Sequence, residues 1–80
     1  MIKTFGINVD GINRAIVATE TKIRAFEILG TYYRMYFTYF KKHVSETGND
    51  NEKRIAEAKP ETVFVSPMNK DNHKEYGARK

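Results

Sequence analysis

The chain has no cysteine and only two prolines. Without thiols it has no disulfide framework, no thiol nucleophile and no thiolate metal site, which favours a reducing, cytoplasmic setting. No segment reaches the roughly 20 consecutive apolar residues that a membrane-spanning helix needs, so no membrane partner is expected. The N-terminal Met1-Ile2-Lys3-Thr4-Phe5-Gly6 lacks the apolar stretch of a signal peptide. No glycine-rich phosphate loop and no internal repeat occur, and Ser45 and Ser66 have no evident base beside them. His43 and Glu46 form an i, i+3 pair that supplies two metal ligands, fewer than a site requires. The stretch from Glu46 to Glu52 is rich in oxygen donors but lacks the register of a calcium loop. The expectation is a non-enzyme with no catalytic residue, no metal site and no cofactor.

What is present is the composition of a folded domain. The 80 residues are 40% hydrophobic and 30% charged, and a chain of this size buries about 60% of the surface that its unfolded form exposes, enough for one modest core. The net charge of +4 is unevenly spread. Residues 1–67 hold ten basic and eight acidic side chains, and residues 68–80 hold four and two. Within the first part, residues 14–44 are net basic and residues 45–61 net acidic. A molecule polarised in this way can steer a charged partner.

Phe5, Ile7 and Val9 alternate with polar or small residues and run into Asp10-Gly11, the strongest short-range signal for a hairpin. The returning strand is Ile12 to Ala18. Its continuous apolar run Ala15-Ile16-Val17-Ala18 suits a central strand covered on at least part of both faces. Thr19 or Thr21 can cap a helix over about Lys22 to Leu29, in which Ile23, Phe26 and Leu29 fall at the i+3 spacing of an apolar side, with Gly30 as its stop. A second helix follows from Tyr32 to Val44, and Ser45 to Asn49 read as a loop. Asn49 with Glu52 resembles a capping box that opens a third helix, Asp50 to Lys59, which ends at Pro60. Thr62 to Ser66 is a short β-branched strand halted by Pro67. The predicted fold is α+β with element order ββαααβ, a small three-stranded sheet with helices packed on one face. The predicted organisation is a single compact domain over residues 1–67 and a polar, flexible tail over residues 68–80.

From Tyr32 to Phe40, six of nine residues are aromatic. In a helix, Tyr33, Tyr36, Phe37, Phe40 and Val44 gather on one stripe wide enough to face a core. Tyr32, Met35, Tyr39 and His43 form a separate stripe beside Arg34, Lys41 and Lys42. Tyr and Met next to basic side chains is a composition enriched at protein interfaces. The candidate partner-binding residues are therefore Tyr32, Arg34, Met35, Tyr39 and Lys42. An alternative places nucleic acid on Arg14, Arg24, Lys41 and Lys42, with the segment around Leu29-Gly30 as a helix-turn-helix-like pair. Phe26 stands where that motif usually has a small residue, and the second helix has few side chains that read base edges.

Leu29-Gly30, the stretch Ser45-Glu46-Thr47-Gly48-Asn49 and the preceding Asn13-Arg14-Ala15-Ile16-Val17-Ala18 resemble a group of small uncharacterised bacteriophage and prophage proteins. The resemblance covers about residues 5–66. Between Gly30 and Ser45 this chain is longer than that pattern, and the added length is mostly aromatic. The resemblance implies a small cytoplasmic protein, in the host cell if phage-encoded, that blocks host machinery stoichiometrically. It also implies a host protein or ribonucleoprotein complex as partner, such as a CRISPR effector or RNA polymerase. The module itself is expected to be a monomer or a homodimer.

Overall fold

The computed structural model describes residues 1–9, 11–33, 42–65 and 74–78, with side chains for 1–9, 11–30 and 42–65. The hairpin forms as its sequence predicts. Strand β1 (Lys3–Val9) pairs antiparallel with β2 (Ile12–Thr19), and Gly11 takes the positive φ of 80° that the tight turn requires. The pairing carries one irregularity: Ile7 faces Ala15 and Asn8 faces Asn13, so Arg14 is the extra residue of a β-bulge.

Helix α1 (Lys22–Tyr33) follows directly. Thr21 is its cap: the Thr21 hydroxyl accepts from the Arg24 amide at 3.1 Å, and the Thr21 carbonyl accepts from the Ala25 amide at 3.1 Å. Two expectations about this helix are corrected. Gly30 does not stop it, because Ala25, Ile28 and Leu29 are completely buried against the sheet. That burial outweighs the roughly 1 kcal/mol an interior glycine costs a helix. Ile23 is not core either. It is 70% exposed, and the buried line runs instead through Ala25, Ile28 and Leu29, with Phe26 half-buried.

Lys42 and His43 are helical and lead into β3 (Val44–Glu46), which pairs antiparallel with β1. This strand replaces the end of the predicted second helix and the start of the predicted loop. Val44 is buried as expected, but from a strand and opposite Ile7. Residues 34–41, most of that second helix, lie outside the described residues. Helix α2 (Asp50–Ala58) has Asn49 as its cap, whose side-chain oxygen accepts from the Glu52 amide at 3.1 Å. Strands β4 (Thr62–Val65) and β5 (Lys74–Ala78) complete the described elements, β5 falling within the stretch read as a tail.

Among the described residues the sheet is antiparallel and has the order β3-β1-β2-β4-β5, five strands where three were expected. The predicted packing of helices on one face is also corrected. Ala15 and Val17 of β2 pack with Ala25, Ile28 and Leu29 of α1, together with Phe5, Ile7, Val44 and Val63. Ile16 and Ala18, pointing the other way, pack with Ala56 of α2 and with Phe64. One helix therefore covers each face. Strand alternation forces this outcome, since a four-residue apolar run has two side chains to hide on either side. Among the described residues no helix is long and apolar enough to cross a membrane.

Candidate functional site

The expected contact residues are only partly described. Arg34, Met35, Tyr39 and Lys41 lie outside the described residues. Tyr32 belongs to the last turn of α1. Lys42 is exposed just before β3. On the outer side of α1, the described surface presents Ile23 at 70% exposure. The Lys22 ammonium stands 5.8 Å from the centre of the half-buried Phe26 ring, a cation–π contact. Ile23 and Phe26 are neighbours on one helix side, so this end of α1 offers apolar surface bordered by charge.

Arg24, proposed above for phosphate contact, is committed elsewhere. Its Nε and Nη2 donate to the two carboxylate oxygens of Glu61 at 3.0 and 3.1 Å, and its Nη1 donates to Glu27 at 3.0 Å. Hydrogen bonding to Glu61, and secondarily to Glu27, raises the guanidinium above its already basic ordinary value. Glu61 is aimed by its backbone. It is the one described non-glycine residue with a positive φ, 62°; its amide donates to the Ala18 carbonyl at 2.8 Å, and its side chain accepts from Thr19 at 2.9 Å. The strained turn before β4 thus places a carboxylate over the start of α1.

The strand register separates the basic candidates. Thr19 and Lys3 mark one end of the β1–β2 pair, where Glu61 holds Arg24. Lys42 lies at the other end, because β3 pairs Glu46 with Phe5 and Val44 with Ile7, running toward the hairpin as its number falls. Arg14 shares this hairpin end. Of the residues proposed for nucleic acid, Arg24 is ion-paired at the end of the strands opposite Arg14 and Lys42.

Sequence reading missed a polar network under α2. The Glu52 side chain is 3% exposed, and one of its oxygens accepts from Asn13 Nδ2 at 2.6 Å and from Thr47 Oγ1 at 2.8 Å. Asn13 Nδ2 also lies 3.2 Å from Thr47 Oγ1, and Asn13 Oδ1 accepts from Asn8 Nδ2 at 3.0 Å. The Asn49 amide donates to Thr47 Oγ1 at 3.2 Å. Nearby, Thr4 Oγ1 donates to Glu57 at 3.2 Å. Satisfied in this way, Glu52 ties α2 to the sheet instead of presenting a reactive acid. A Glu three residues after an Asn cap was the one cue available, and it suggested an exposed helix start.

The His43–Glu46 pair is not realised as a helical pair, because residues 44–46 are extended. His43 Nδ1 instead donates to the Asn8 carbonyl at 3.0 Å, which fixes the hydrogen on Nδ1 in the neutral ring. Among the described residues no group of three or more His, Asp or Glu side chains is arranged to hold a metal. No protein-family model, curated protein or solved structure matches the chain.

Proposed function

We propose that the chain is a non-enzymatic binding module, a phage-type inhibitor that docks stoichiometrically onto a host protein or ribonucleoprotein complex such as a CRISPR effector or RNA polymerase. The docking surface is the outer side of α1, continued into the aromatic run that follows it. The observation that carries this reading is Ile23, an isoleucine held 70% exposed beside the half-buried Phe26 and its Lys22 cap. An apolar helix side bordered by charge is a common way for one protein to engage another. The contact residues are Ile23 and Phe26 together with Tyr32, Arg34, Met35, Tyr39 and Lys42. Supporting the same reading, Glu52, Glu61 and His43 are bonded into the fold. The nucleic-acid alternative gains less support, since Arg24 is ion-paired and Gly30 lies inside α1.

The test is capture from host lysate with and without nuclease, repeated with Ile23→Asp and Tyr39→Ala. A defined protein should be retained at a fixed ratio after nuclease treatment. Its affinity should fall by roughly 30-fold or more for either variant, as for a buried interface anchor. Stability should change by less than about 1 kcal/mol. Undiminished capture by Ile23→Asp would remove α1 from the surface, and loss of capture on nuclease treatment would make the partner nucleic acid.

A further inference from the structure

We propose that Arg14 anchors an oxyanion-binding site at the hairpin end of the sheet, with Lys42 supplying a second positive charge. Three observations meet at this place. First, Arg14 is the extra residue of the bulge in β2, and a bulge re-aims a side chain out of the regular strand pattern. Second, its Nε is buried and has no hydrogen-bond partner among the described residues. A dry, unpaired donor carries the full penalty of its desolvation. Turning the guanidinium outward onto a ligand removes that penalty, so the resting side chain favours whatever accepts it. Third, a second cation lies at this end of the sheet. His43 is bonded to the Asn8 carbonyl, Asn8 pairs with Asn13, and Lys42 stands exposed beside His43. With β1 between them, Arg14 and the approach to β3 are about 10 Å apart, a span that two long basic side chains bridge around one group.

The acid nearest in the hydrogen-bond network is already used: Glu52 accepts from Asn13 and Thr47. A guanidinium fork with an unused Nε–H matches two oxygens of one oxyanion. Phosphate and carboxylate share this chemistry. The site lies at the opposite end of the strands from the Thr19 end, where α1 begins, and shares only Lys42 with the docking surface proposed above.

The experiment uses the full chain and follows arginine Nε–Hε resonances by nuclear magnetic resonance. Inorganic phosphate is titrated in one arm and acetate in the other, both at a constant ionic strength of about 0.15 M. Phosphate should shift the Arg14 signal along a saturating curve with a dissociation constant of about 1 to 10 mM. The Arg24 signal, locked by Glu61, should stay in place and report that the fold is intact. Arg14→Gln should abolish saturable phosphate binding seen at neighbouring amides, and Lys42→Ala should weaken it about threefold. Saturation by acetate more tightly than by phosphate would support the site and identify a carboxylate as its ligand. A shift that stays linear in both arms, or amide shifts identical in Arg14→Gln, would overturn the proposal.

Discussion

Gly6 offers the sharpest test of how the polar network holds α2 to the sheet. Its φ is not positive, so glycine is not demanded there by the backbone. It is demanded by what lies above it: a Cβ at residue 6 would sit 2.9 Å from Asn13 Cγ, 3.0 Å from Asn13 Oδ1 and 3.3 Å from the Ala15 carbonyl. Asn13 cannot retreat cheaply, since its amide nitrogen is bonded to Glu52 at 2.6 Å and its oxygen receives Asn8 at 3.0 Å. Gly6→Ala should therefore push Asn13 off the buried Glu52. A buried polar group stripped of its partner costs about 1 to 3 kcal/mol, against about 0.4 to 1 kcal/mol returned by the stiffer unfolded chain. The net loss should be about 1 to 2 kcal/mol, or about 5 to 15 °C in melting temperature for a domain of this length. Urea unfolding of a double-mutant cycle with Asn13→Ala isolates the cause. With Asn13 truncated only the 3.3 Å approach to the Ala15 carbonyl remains, so Gly6→Ala should then cost much less, giving a coupling of at least about 1 kcal/mol. An equal cost in both backgrounds would show that Asn13 is not what keeps residue 6 small.

Gly30→Ala should have the opposite sign. The site lies inside α1 with open space where a Cβ would go, so thermal unfolding should show a gain of about 0.5 to 1 kcal/mol; a loss would restore Gly30 as a left-handed helix stop. Asn49→Ala should cost about 1 kcal/mol through the lost cap on the Glu52 amide, with Asn49→Asp retaining most of it. Equal urea midpoints for wild type and Asn49→Ala would refute the cap.

The features legible in the sequence are those completed within a few residues. Gly11 supplies the positive φ of its turn, Thr21 reaches three residues forward to the Arg24 amide, and Asn49 does the same for Glu52. The apolar run Ala15 to Ala18 also announced a strand with two covered faces, and taken at full weight it required helices on both sides. What escaped is long-range. β3 exists because the β1 edge at Phe5 to Ile7 accepts it, while its own Ser45 and Glu46 side chains are exposed and read as loop. Glu52 is core because Asn13, 39 positions away, meets it, and Arg24 is an ion-pair partner because a strained Glu61 lies 37 positions away. The same logic explains Ile23. The phase of a helix on a sheet is set by its closest approach, and Ala25, the smallest buried residue of α1, defines it. Once Ala25, Ile28 and Leu29 face the sheet, helical geometry turns Ile23 toward solvent. Its exposure is a consequence of the fold, and binding by that surface must be shown by loss of a partner without loss of stability.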